Sequence, residues 1–238
     1  LRRARSENLV LQDEEGCCRF AHDRIRQAVY RIIPTGDKKI LHLRLGRMLV
    51  ERSPGRGLKN KIMEIVYHLN LGAELIASRK ERLRLAEYNL LAGRVAKSSA
   101  AYESARRYLL AGLALLSEYS PGEHRALRQV FFKEIAPCEY MCGNYTGAQE
   151  ILDTALLRAR TPLEKADLYM LKNICHTGLG QYEAAVKEGL AGLRELGINI
   201  PLKPHFLSFL GNYFRIGCLV HKRAFRNSFI SPEQADPR

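Results

Sequence analysis

The chain has 238 residues, 46% of them hydrophobic and 26% charged, which allows one or two domains with a sizeable core and excludes wholesale disorder. Its 38 Lys and Arg outnumber 25 Asp and Glu, a formal charge of +13 that draws acidic partners without identifying them. No uncharged apolar stretch reaches the roughly 20 residues of a membrane-spanning helix, so no membrane insertion is expected.

The best such stretch, Phe206 to Val220, is interrupted by Asn212 and Arg215. The six cysteines follow no regular framework and no secretory signal opens the chain. They are expected to be reduced packing residues of a cytoplasmic protein. The first residue is Leu1, as expected of a piece of a longer protein. Residues 1–60 carry 14 Lys and Arg against 7 Asp and Glu, a solvated basic surface rather than a charge block.

Two short apolar runs, Leu9-Val10-Leu11 and Cys17-Cys18-Arg19-Phe20, flank Asp13-Glu14-Glu15-Gly16, which predicts a β-hairpin. Asp23 then stands where a side chain can cap a helix whose apolar positions are Ile25, Ala28, Val29, Ile32 and Ile33, and Pro34 and Gly36 stop it. Helical periodicity continues through Ile40, Leu41, Leu45, Met48 and Leu49. After Ser53-Pro54-Gly55-Arg56-Gly57 it resumes through Ile62, Ile65, Val66 and Leu69. Glu81 to Ser98 is a helix pattern rich in small residues. Ser120-Pro121-Gly122-Glu123, Thr161-Pro162-Leu163-Glu164 and Ser231-Pro232-Glu233-Gln234 each fit a capping box with Pro at the first helical position. The last of these predicts that residues 231–238 begin a further, truncated helix.

An internal repeat decides the fold class. Tyr102, Tyr145 and Tyr182 are each followed three residues later by alanine: Ala105, Ala148 and Ala185. Gly143 and Gly180 precede the second and third tyrosines by two residues, where the first copy has Ala100. Leu110-Ala111-Gly112-Leu113 returns as Leu190-Ala191-Gly192-Leu193 at the same offset. The tyrosine separations are 43 and 37 residues, against about 34 for a tetratricopeptide repeat of paired helices. Gly loosens the end of the first helix, the aromatic packs at the start of the second, and Ala permits close approach. The expectation is an all-α, tetratricopeptide-like solenoid with a short β-hairpin at its N-terminus.

Several motifs occur in order: Phe20-Ala21-His22-Asp23-Arg24-Ile25-Arg26-Gln27-Ala28-Val29-Tyr30, then Leu41-His42-Leu43-Arg44-Leu45-Gly46-Arg47, then Glu64-Ile65-Val66-Tyr67-His68-Leu69-Asn70 and Leu85-Ala86-Glu87-Tyr88-Asn89-Leu90-Leu91-Ala92-Gly93. From about Phe20 to Pro201 the chain resembles the large signalling ATPases of the STAND class. Many members carry a serine/threonine kinase domain ahead of the ATPase and a helical repeat arm, GAF domain and histidine kinase behind it. The resemblance implies that residues 1–58 are the C-terminal part of a winged-helix subdomain with connecting helices, and that 59–230 are the repeat arm. It implies that His22 and Asp23 sense bound nucleotide in the whole protein, the His by contacting the β-phosphate of ADP. ATP or ADP is then a ligand of the parent, and no cofactor is expected in this piece. The family usually has an aromatic-rich stretch with Trp after the position of Leu116, which this chain lacks.

Other chemistry is weak. The chain has no G-x-x-x-x-G-K-[ST] loop, kinase glycine loop, H-R-D loop, G-x-S-x-G elbow or H-E-x-x-H motif, so no catalytic residue is expected. Cys138, Cys142, Cys175 and His176 could be drawn as a metal site, but their spacing suits helix packing better, and no metal is expected. His42 and His68 sit in apolar helix patterns and read as satisfied core or flank residues. Basic clusters at Arg2-Arg3-Ala4-Arg5 and His221-Lys222-Arg223-Ala224-Phe225-Arg226 specify too little for a nucleic-acid partner. The expected partners are a protein or peptide on the concave face of the arm, an upstream ATPase and downstream domains, with helices 81–98 and 100–118 as the first wall of the groove. The alternatives are a stand-alone repeat adaptor and the repeat arm of an ATP-dependent transcription activator.

Overall fold

The computed structural model describes residues 2–12, 18–120 and 122–200, and among them are ten α-helices, one short 3-10 turn and two strands. The expected truncated helix at 231–238, the arm beyond residue 200 and the hairpin turn at 13–16 lie outside the described residues. A five-residue helix, α1 (Arg2–Ser6), precedes β1 (Val10–Gln12) and β2 (Cys18–Phe20). The strands pair antiparallel with Val10 opposite Phe20 and Gln12 opposite Cys18, as the two apolar runs predict.

Helix α2 (Asp23–Ile32) follows directly. Its N-cap is His22, in extended conformation, and no side chain caps it. The expected cap at Asp23 is therefore wrong by one residue. Asp23 already has helical geometry, and its carboxylate pairs with Arg26 one turn on, at 3.2 Å. Pro34 does separate two helices, since its fixed φ and missing N–H suit a helix start. Gly36, expected to stop a helix, lies instead in the first turn of α3 (Thr35–Glu51).

The remaining helices are α4 (Arg56–Leu71), α5 (Arg79–Ser98), α6 (Tyr102–Leu115), α7 (Arg125–Met141), α8 (Tyr145–Arg158), α9 (Pro162–Gly178) and α10 (Tyr182–Glu195). They pack as successive pairs: α3 on α4, α5 on α6, α7 on α8 and α9 on α10. The pair α3–α4 spans the expected boundary at residue 58. Between pairs, α4 meets α5, α6 meets α7 and α8 meets α9, while the first helices α5, α7 and α9 also touch in sequence.

The three tyrosines of the repeat are the first residues of α6, α8 and α10, each 14 residues long. Two residues before them, Ala100, Gly143 and Gly180 take left-handed φ of 56°, 81° and 71°. In each copy the next residue's N–H reaches back to the carbonyl five positions earlier: Ala101 to Ala96, Asn144 to Glu139, Gln181 to His176. This is the Schellman cap, which satisfies carbonyls a helix end leaves open. Helices α7 and α9 are both 17 residues, and the connectors inside the pairs α5–α6, α7–α8 and α9–α10 are all three residues, against four between α3 and α4. The six-residue difference between the two tyrosine separations therefore lies wholly between pairs, in a connector of nine residues at 116–124 against three at 159–161.

Those two connectors also separate the two capping boxes. Thr161 and Glu164 close a full box at the start of α9. At Ser120 only half forms: Glu123 accepts from the Ser120 N–H at 2.9 Å and also holds Arg79 at 3.1 Å. Helix α7 starts later, at Arg125, after a left-handed His124.

The core runs between the pairs. Ala105, Leu109, Phe131, Ile135 and Cys138 join α6 to α7 with no exposed surface, and Phe132, Leu152, Ala155 and Leu168 continue the packing through α8 to α9. The repeat alanines Ala105, Ala148 and Ala185 are all buried. Gly112 permits the α5–α6–α7 contact: a Cβ there would stand 2.6 Å from the Phe131 ring and 2.9 Å from the Asn89 Cβ.

Candidate functional site

The hairpin and α2 present the residues expected to sense nucleotide. His22 and Asp23 are exposed at the junction of β2 with α2. The His22 carbonyl accepts the N–H groups of Ile25 and Arg26, which fixes its backbone as the start of the helix. The imidazole is left for other contacts. The apolar residues around it are poorly covered: Leu9, Leu11, Phe20 and Val29 are all exposed and Ile32 is 82% exposed.

Helix α2 is joined to the first pair by a polar chain. The Tyr30 hydroxyl meets His42 Nε2 at 2.8 Å, and His42 Nδ1 meets His68 Nδ1 at 2.6 Å. Tyr67 stands edge-on to both imidazoles, and Lys38 lies over the Tyr30 ring. Two facing Nδ1 atoms need one hydrogen between them, so one ring donates and the other accepts. A proton on each would set two N–H groups head to head. Burial pushes the His42 pKa down, with the neighbouring His68 adding to it. Burial pushes His68 down also, partly opposed by Glu64. The two histidines expected in the core or on its flank, one buried and one half-buried, thus form one junction of α2, α3 and α4.

A second buried polar pair follows. Asn70 and Asn89 exchange amide hydrogen bonds at 2.8 and 2.9 Å, and the fully buried Asn89 also donates to the Leu85 carbonyl. This fixes the register of α4 on α5 by satisfying polar groups in a dry setting.

Outside the core, ion pairs join successive helices. Arg47 grips Glu81 through two bonds of 2.7 and 2.9 Å. Arg94 and Lys97 of α5 share Glu134 of α7, and Lys133 of α7 reaches Asp167 of α9 at 2.6 Å. Burial works against the Glu134 carboxylate, but Lys97 and Arg94 outweigh it and hold its pKa low. Lys172 of α9 bridges Asp153 of α8 and Glu188 of α10. Sequence reasoning missed these bonds. Their signal was present: Arg47 and Glu81, Arg106 and Glu139, and Lys133 and Asp167 are separated by 34, 33 and 34 residues, close to one repeat.

The cysteine set does not converge. Cys138 belongs to the α5–α6–α7 core, where burial pushes its thiol up to about 11, and Cys175 sits in the α7–α8–α9 core. The His176 Nδ1 pairs with Gln181 at 2.8 Å across the α9–α10 turn. Among the described residues no group of three His, Cys, Asp or Glu could hold a metal ion, and no helix is long and apolar enough to cross a membrane. On α9, Leu163, Met170 and Ile174 are more than half exposed and recur at helical spacing.

No family model matches the chain. An alignment of 165 residues, covering 59% of this chain, is 32% identical to the hybrid signal transduction histidine kinase G of Dictyostelium discoideum. The matched part is only 5% of that protein's length. The relation ties this chain to a signalling protein.

Proposed function

We propose that the chain is a regulatory, non-catalytic segment of a multidomain signalling ATPase of the STAND class, coupled to a kinase output. In this reading the hairpin and α2 are the end of a winged-helix subdomain, and α3 to α10 form a tetratricopeptide-like arm that binds a protein or peptide. ATP or ADP acts on the parent protein, and His22 reports which is bound. A partner on the arm biases the closed, ADP-bound arrangement toward an open one, as a population shift.

The observation that carries this reading is the likeness to a signal transduction histidine kinase, in a chain whose helices repeat as capped pairs. The exposed apolar residues of the hairpin and α2 support it, because they fit a surface made to rest on a nucleotide-binding core. The exposed imidazole of His22 is free to reach a phosphate. The test is ADP release from a longer protein that contains the nucleotide-binding core. His22→Ala should speed release severalfold. Release at the wild-type rate overturns the switch.

The exposed stripe of Leu163, Met170 and Ile174 favours a second reading, an adaptor that binds an amphipathic peptide without sensing nucleotide. That reading predicts the His22→Ala outcome of no change.

A further inference from the structure

A crevice of about 320 Å3 opens where α7 begins and α8 ends. Arg125, Arg128, Gln129 and Phe132 line it from the first turns of α7, Leu157 and Arg158 from the end of α8, and Arg160 from the connector to α9. Four arginines thus line one cavity.

Among the described residues only one of them meets a carboxylate. Arg125 holds Glu164 with two bonds of 3.2 Å and also donates to the Arg158 carbonyl. Glu164 is fully engaged, because it also accepts the N–H groups of Arg160 and Thr161. Arg128 is 7% exposed and donates to the carbonyls of Leu116 and Tyr119, which orient it without cancelling its charge. Arg158 lies over the Phe132 ring, 5.7 Å from its centroid, and pairs with no acid among the described residues; nor does Arg160. Gln129 is 5% exposed, donates to the Ala155 carbonyl, and keeps a side-chain oxygen without a partner.

Guanidinium forks bind phosphate oxygens two at a time, and three uncompensated positive charges favour a dianion over a monoanion. Phe132 and the 89% exposed Leu157 supply an apolar wall. The volume is at the low end of the ~300–1,000 Å3 typical of small-ligand sites, enough for a phosphate with one ring. We propose that this crevice binds a phosphate monoester carried on a single aromatic or short apolar group. The proposal does not depend on what the arm binds elsewhere.

Titration calorimetry of the 238-residue chain at constant ionic strength tests it, with phenyl phosphate, inorganic phosphate and phenyl sulfate as probes. Phenyl phosphate should bind saturably, more tightly than inorganic phosphate and about tenfold more tightly than phenyl sulfate, which has the same shape and one charge fewer. Arg158→Gln and Arg160→Gln should each weaken it about tenfold with an unchanged melting curve. Arg128 is left in place because its loss would strand two carbonyls. Arg84→Gln, on α5 away from the crevice, should have no effect. No saturation, equal affinity for phenyl sulfate, or a response to Arg84→Gln as large as to Arg160→Gln overturns the site. A phosphotyrosine peptide distinguishes the sources: tighter binding than phenyl phosphate assigns the phosphate to a partner protein, weaker binding to a free small molecule, and either supports the site.

Discussion

Ala100 occupies a backbone conformation that its two counterparts fill with glycine. A Cβ there costs roughly 1 kcal/mol, because it crowds the following carbonyl. Ala100→Gly should therefore stabilise the chain by up to about 0.6 kcal/mol, the remainder after glycine's greater freedom in the unfolded state is counted against it. Gly143→Ala and Gly180→Ala should each cost about as much. Urea unfolding of the three variants checks all of this, and a destabilised Ala100→Gly would contradict the cap. Two of these turns were legible from Gly-x-Tyr. The first was hidden, since nothing in an alanine announces a left-handed φ. His22 shows the same limit. The sequence of a hairpin followed by His-Asp places a helix start but not its first residue, because either side chain can stand there, and the Asp23–Arg26 pair decides it.

The histidine junction belongs to this scale also. Both pKa values lie below the usual imidazole value of about 6.5. The unfolded chain then binds more protons than the folded one as the pH drops below that value. The stabilisation is complete above pH ~6.5 and is lost as the pH falls through the lowered folded values. The charged groups nearby are Glu64, Lys38, and Lys39 with its partner Glu74. A melting temperature that falls between pH 6.5 and 5, and falls less in His42→Gln/His68→Gln, is the expected result. The lowered carboxylates of Glu134 and Glu164 act in a separate window, below their ordinary value of 4.5. That these two histidines meet could not be read from the chain, because the contact depends on how α3 crosses α4.

For the helices, periodicity located the apolar faces, and the tyrosine-alanine spacing located the starts of α6, α8 and α10. What held one helix to another was less visible. Gly112→Ala gains helix propensity of about 1 kcal/mol, but its Cβ meets a fully buried Phe131 ring and the Asn89 Cβ, and overpacking of this kind costs about 1–3 kcal/mol. A net loss of stability is expected, where Gly36→Ala in an open first turn should lose none. Chemical denaturation of the two variants separates packing from propensity. The Arg47–Glu81 pair is solvent-screened, so a double-mutant cycle should return at most ~1 kcal/mol despite its bidentate geometry, and less in high salt.

Across the whole molecule, the sequence established a helical protein with a small hairpin, and the first helices of successive pairs, α5, α7 and α9, touch in sequence in the arm on which partner binding is proposed. Function was legible only through resemblance. The chain carries no catalytic signature, and its relation to a histidine kinase spans a small fraction of that protein. From α6 to α10 the constant 14- and 17-residue helices and three-residue turns within pairs contrast with a nine-residue and a three-residue connector between pairs. Length changes are thus a property of one kind of joint. An added residue inside a capped turn would rotate a whole helix off its partner, whereas the segment 116–124 already absorbs six more residues than its counterpart. That joint, rather than a capped turn, is where such an arm changes length, around the fixed points that Leu116 and Tyr119 provide for Arg128.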